Sequence, residues 1–293
     1  LMIVGNGGVA VSMFFVLSGF VLSQSFKNQV WSVSGYLTYL LKRIARLYPV
    51  FLFTISLIAI FTKIGFEYKT FPHASSWYHW WMNFPLDWNE FIRNATFVNI
   101  NLGGVTWTLR VIVIISLFIP LLYLLTIKIS KKLNLAVAIF LIYISFNMLN
   151  IDGFRDLRYT YMFYLGLILP FFESEFRLLP KKISYLILPI LIFIMLVIRY
   201  QTDEYVGGVI EAIISWFLIG VIVYGTHTNI FNFLENKGFI FLGKISYSLY
   251  LVHFSVLYCL ARVMFQFFPS INYSKYYLLT HLTLLFVSML ITV

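Results

Sequence analysis

Arg43 and Arg46 stand three residues apart in the segment KRIARLYP, so on a helix they share one face. Two neighbouring guanidiniums present paired planar donors of the kind that grip phosphate oxygens. At the boundary of an apolar stretch the same pair also serves as a positive anchor on the inner side of a membrane. Farther along, ISYSLYLVHFSVL puts Tyr247, Tyr250 and His253 on one helix, with Tyr250 and His253 one turn apart. Histidine exchanges a proton near neutral pH, as a base that activates a hydroxyl must. The other reading is a hydrogen-bonded core histidine. Arg110, in TWTLRVIV, lies near one end of a long apolar run, where it lines a polar path or snorkels to the interface. Glu211, in GGVIEAIISW, sits about five residues into another such run with no basic residue one turn away. A carboxyl there stays protonated or finds a cation on another helix, and both a functional and a structural role are open. His73, His79, His227 and His281 lack companions at ligand spacing, and Cys259 is the sole cysteine, so no metal is expected.

Composition decides what must hold these residues. Of 293 residues, 61% are hydrophobic, 20% aromatic and only 11% charged. A soluble domain carries roughly 25% charged residues. With a mean hydropathy of +0.88, the chain cannot cover its surface with polar groups in water. Soluble enzyme, disordered linker and nucleic-acid-binding module are thereby excluded, and the net charge of +10 is read as loop charge that orients a membrane protein. Windows of about 20 apolar residues run over 8–26, 48–65, 105–127, 133–150, 158–173, 183–199, 206–225, 245–267 and 278–293. Their apolar runs do not alternate as barrel strands would. Unpaired backbone in lipid costs several kcal/mol per group, so the expected fold is an all-α, polytopic transmembrane helical bundle with nine spans in this chain.

Loop charges test that count. With the loop 27–47 on the cytoplasmic side, twelve of the 21 basic residues fall on that side and six on the other, as the positive-inside rule requires. Lys63, Arg110 and Arg262 fall within or at the ends of spans. The longest loop, 66–104, then faces outward and carries Trp77, Tyr78, Trp80, Trp81 and Trp88. Those rings form an interfacial belt or stack on the apolar faces of sugars. Gly8, Ser12 and Gly19 are small enough to let helices approach closely. The chain reads as one domain over 1–293, and because it starts and stops within apolar sequence it is expected to be a fragment lacking an N-terminal helix and its C-terminal end.

Four segments, in order, resemble a known family: GGVAVSMFFVLSGFVLS (7–23), RIARLYPVF (43–51), TWTLRV with a later proline (106–120) and FLGKISYSLYLVHFSVL (241–257). The chain is similar over nearly its whole length to the acyltransferase-3 family of bacterial membrane O-acyltransferases. The resemblance implies about ten helices in the full protein, a bacterial inner-membrane location, and transfer of an acyl group, usually acetyl, from acyl-CoA to a hydroxyl of a cell-surface or exported polysaccharide. It implies that the Arg43–Arg46 motif faces the cytoplasm, where the donor is, with the glycan acceptor on the outer side of the bilayer. Phe14, Phe15, Ser18, Gly19 and Phe20 match the family's FF-x-x-SGF signature, read mainly as packing. Tyr247, Tyr250 and His253 match its S-Y-S-x-Y-L-x-H segment. The family's preceding helix carries an Arg and a His important for acyl transfer, and that helix lies outside this sequence. Where its W-[ST]-L-x-x-E pattern ends in Glu, this chain has Ile112.

The expected chemistry is attack of a hydroxyl on a thioester or on an acylated intermediate, with no metal and no nucleic acid. Arg43 and Arg46 would clamp the donor. The base would be the histidine of the preceding helix, or His253. Tyr247, Tyr250 and Arg110 would line the path to the acceptor. Two other functions fit the same residues: a transporter of a glycan or lipid-linked intermediate, and an inactive relative that acts as a scaffold.

Overall fold

The computed structural model describes residues 7–27, 29, 32–65, 86–148, 155–225 and 228–268, together with 275, 283 and 287. Within those ranges the side chains of 181–186, 199–200 and 228–231 are not described. The expected span 278–293, most of the tryptophan-rich loop (Trp77, Tyr78, Trp80 and Trp81) and His73, His79, His227 and His281 lie outside the described residues.

The elements are helical throughout: α1 (Gly7–Phe26), α2 (Val33–Lys63), α3 (Trp88–Ala95), α4 (Thr106–Lys128), α5 (Lys131–Asn147), α6 (Thr160–Ile168), α7 (Glu173–Arg177), α8 (Lys181–Gln201), α9 (Glu204–Tyr224) and α10 (Lys237–Phe267), with 3-10 turns at Arg155–Tyr159, Leu169–Phe172 and Thr228–Glu235. No strand occurs among the described residues. The all-α membrane bundle is thus the observed architecture. Among the described residues five helices, α1, α2, α4, α9 and α10, are long and apolar enough to cross a membrane. The window 158–173 is not one continuous α-helix. Pro170 has no backbone N–H to continue the ladder, and α6 gives way there to a 3-10 turn. In α2 and α10 the helix exceeds the apolar window. Each has 31 residues, about 46 Å at 1.5 Å per residue against roughly 30 Å of hydrocarbon. Arg43 and Arg46 therefore sit inside α2 and not at its end.

The chain forms two compact units. Unit 1 comprises residues 1–40 and 111–236; unit 2 comprises 41–110 and 237–293. In unit 1, α1 and α6 touch backbone to backbone. A Cβ on Gly19 would lie 2.0 Å from the Phe163 carbonyl oxygen, and one on Gly166 would lie 2.0 Å from that of Val16. Phe15 stacks on Phe163 beside this contact, with ring centroids 4.9 Å apart. One turn earlier on α1, the Ser12 hydroxyl donates to the Glu211 carboxyl of α9 at 2.9 Å. α9 in turn packs on α7, where the Phe176 ring occupies the space that any side chain at Gly220 would need. Asn134 of α5 is fully buried. Its amide donates to the Thr126 carbonyl of α4 at 2.9 Å, and its oxygen accepts from the Tyr164 hydroxyl of α6 at 2.7 Å.

In unit 2 the second part of α2 lies alongside α10. Tyr247 donates to the Leu47 carbonyl at 2.7 Å, Ser255 to the Thr54 carbonyl at 3.4 Å, and the Thr62 and Tyr258 hydroxyls meet at 3.2 Å. Position rises along both helices from one tie to the next, so the two run in the same direction.

Candidate active site

Six of the seven sequence-derived candidates fall in unit 2. α2 supplies Arg43 and Arg46, the first turn of α4 supplies Arg110, and α10 supplies Tyr247, Tyr250 and His253. The Arg43 guanidinium lies within electrostatic reach of the Tyr247 hydroxyl, which is itself fixed on Leu47 of the same helix as Arg43. Arg43 is half-buried whereas Arg46 is exposed, so one cation is held against α10 and its neighbour reaches out from the helix. One turn along α10, the Tyr250 hydroxyl hydrogen-bonds to that of Thr108 at 3.2 Å. That bond joins α10 to the segment TWTLR, two residues before Arg110.

His253 follows, its ring 5.9 Å from that of Tyr250. Its Nδ1 faces the Leu249 carbonyl at 3.1 Å. A carbonyl only accepts, so Nδ1 carries the proton, and the lone pair available for base chemistry is on Nε2. The residue joins two of the readings that the sequence left open: it is hydrogen-bonded to its own helix, and its other nitrogen remains an acceptor.

The seventh candidate, Glu211, belongs to unit 1. It is completely buried on α9 and accepts from Ser12 of α1. Ser12, expected only to permit close packing, makes this polar tie. Ile112 is 3% exposed within apolar surroundings, so its position offers no acid or base.

The start of α4 is held by a polar cluster that spacing did not reveal. Asp87 caps α3 by accepting from the Glu90 amide at 2.6 Å. The Glu90 carboxylate then accepts from the side-chain amides of Asn94 and Asn99 at 2.9 Å and of Asn101 at 3.1 Å. Asn94, 2% exposed, accepts from the Leu102 amide at 2.9 Å. The loop entering α4 is therefore fastened to α3, and with it Thr108 and Arg110. Phe97, just past the end of α3, has φ of 60°, where glycine is the usual residue. Its ring stacks on Phe51 of α2 at 4.5 Å, which holds the strained residue in place.

Arg262 is the other residue that sequence reading passed over as an end-of-span charge. It is 1% exposed, one turn beyond Tyr258 and within electrostatic reach of it. Tyr258 and Thr62 extend this buried polar group across to α2. The apolar window 245–267 already ends where α10 ends, at Phe267; that packing buries both Tyr258 and Arg262 was not visible. Among the described residues no three His, Cys, Asp or Glu side chains gather as a metal site.

The chain matches the profile of the acyltransferase-3 family, described as an acyltransferase domain, over residues 1–293. No curated protein and no solved structure matches it.

Proposed function

The chain belongs to the acyltransferase-3 family and is a membrane acyltransferase; from that premise we propose that it moves an acyl group, acetyl in the simplest case, from acyl-CoA to a hydroxyl of a cell-surface polysaccharide at the bacterial inner membrane. The observation that carries this reading is the grouping in unit 2. The arginine pair on α2 and the tyrosines and histidine on α10 belong to one packed body, with Arg43 beside Tyr247.

In this reading Arg43 and Arg46 hold the phosphates of the donor on the cytoplasmic side. The acceptor hydroxyl oxygen attacks the thioester carbonyl carbon and loses its proton to a base, for which His253 Nε2 is the candidate within this chain. The C–O bond forms, the C–S bond breaks, and coenzyme A leaves as a thiolate that takes up a proton. Arg110, Tyr247 and Tyr250 line the route of the acceptor, and the Arg110 guanidinium donates to the oxyanion as charge develops. The inactive-scaffold reading draws on Ile112, and the same assay separates the two.

Membranes carrying the protein are supplied with labelled acetyl-CoA, and label is measured in polysaccharide. Transfer by the wild type and its loss in Arg43→Ala, at unchanged protein level, is the expected result. Partial recovery in Arg43→Lys, through a raised KM for the donor, is expected because a lysine keeps the charge but not the paired donors. Transfer unaltered in Arg43→Ala overturns the clamp. Absence of transfer by the wild type favours the scaffold.

A further inference from the structure

Unit 1 contains a cavity of about 600 Å³ that none of the residues above uses. It opens among the end of α1, the last turns of α4 and α9, and the 3-10 turn before α7. This is a ligand-sized space, within the 300–1,000 Å³ usual for small-molecule sites. Three of its polar groups, Tyr123, Lys27 and Tyr224, have protons to offer a ligand. Tyr123 is 8% exposed, and its hydroxyl makes no hydrogen bond among the described residues although it borders the cavity. Lys27, at the mouth, makes no ion pair among the described residues. Tyr224 already accepts from the Gln24 amide at 3.1 Å, so its own proton is available to a ligand. The one acid in the wall, Glu173, is neutralised by Arg177, which donates to it at 2.7 and 2.9 Å. The balance at the cavity is one uncompensated positive charge.

The remaining wall is apolar, and includes Phe20, Ile127 and Val223. A soluble anion would use the donors and leave this surface wet. An amphiphile would use both. We propose that this cavity binds a phosphate-bearing lipid, its phosphodiester held by Lys27, Tyr123 and Tyr224 and its acyl chain lying along Phe20, Ile127 and Val223. The surroundings fit an anionic headgroup, since the same end of unit 1 adds Lys128 and Lys132 to Lys27, besides Lys131 and Arg177, which are paired with Glu175 and Glu173, and basic groups at a membrane surface attract anionic lipid. The site is made from unit 1 residues alone, and the assignment stands whatever unit 2 transfers.

The test is native mass spectrometry of the whole chain in detergent micelles, with phosphatidylglycerol and diacylglycerol offered in equal amounts. Retention of phosphatidylglycerol over diacylglycerol is expected. In Tyr123→Phe and in Lys27→Ala that preference should fall by about tenfold each, the effect of one charge-assisted hydrogen bond. Val223→Trp, which fills the apolar wall, should lose the lipid while keeping the wild-type melting temperature; Tyr123→Phe keeps shape and packing, and serves if the tryptophan variant fails to fold. Equal retention of the two lipids, or no change in Tyr123→Phe and Lys27→Ala, overturns the proposal. So does displacement of phosphatidylglycerol by millimolar inorganic phosphate or coenzyme A, which would assign the donors to a soluble phosphate.

Discussion

A side chain with a donor at one end and an acceptor at the other can join three helices, and Asn134 does so between Thr126 and Tyr164. Replacing it with leucine keeps its bulk but leaves the Tyr164 hydroxyl and the Thr126 carbonyl buried without partners. Each orphaned group costs about 1–3 kcal/mol, so Asn134→Leu should destabilise unit 1 by about 2–6 kcal/mol in thermal unfolding. Adding Tyr164→Phe should restore part of the loss, because one orphan is then removed. Residues of this kind divide sharply in how legible they are from sequence. Arg43, Tyr247, Tyr250 and His253 stand out because each interrupts an apolar helix, and polarity at membrane depth needs a reason. Glu90, Asn94, Asn99 and Asn101 do not, since loop residues look alike whether they face water or one another. Arg262 was not singled out for a third reason: a charge inside an apolar window is an anchor or a buried group depending on what packs against it, which spacing does not show.

At the scale of elements, the α1–α6 contact depends on the absence of side chains. A methyl at Gly19 or Gly166 would overlap a carbonyl of the opposite backbone, and backbone cannot swing aside as a side chain does. Gly19→Ala and Gly166→Ala should each force the helices apart and strip contacts from the α6 face, where Tyr161 to Leu169 are all buried. The cost is expected at about 3 kcal/mol, the upper range of overpacking, and is read as a lower melting temperature and lower yield in membranes. Gly220→Ala meets a phenyl ring in place of backbone and should cost less. The sequence showed most helices as apolar windows, yet it missed the first part of α2 and the break at Pro170. Hydropathy reports burial in lipid, whereas helix length follows from backbone hydrogen bonding that polar residues also support. The glycine in FF-x-x-SGF could be read as packing, but its partner helix could not be named, because that pairing spans more than 140 residues of sequence.

For the whole molecule, the charged edge of unit 1 links stability to pH. Lys131 of α5 pairs with Glu175 of α7 and also lies 4.3 Å over the Phe172 ring. The hydrogen bond from Lys131 holds the Glu175 carboxyl below its usual range, with a smaller contribution from Ser174. A lowered folded-state pKa means that the pair stabilises at neutral pH and that this contribution is lost as pH falls through the lowered value. Wild type and Glu175→Gln should therefore differ in melting temperature at pH 7 and converge in acid below the ordinary carboxylate range. The difference should also shrink at high salt, because both partners are exposed enough to be screened. Family membership covers all 293 residues, so both units belong to the acyltransferase domain even though neither is continuous in sequence.

The bond between Ser12 and Glu211 joins residues 199 positions apart. Ribosomes add about 5–20 residues per second, so α1 waits on the order of 10–40 s in the membrane before its partner on α9 has been made. During that interval the Ser12 hydroxyl is without the Glu211 carboxyl that it meets in the folded protein. Synthesis speed, and any factor that shelters a helix until its partners arrive, therefore acts on the yield of this protein through α1.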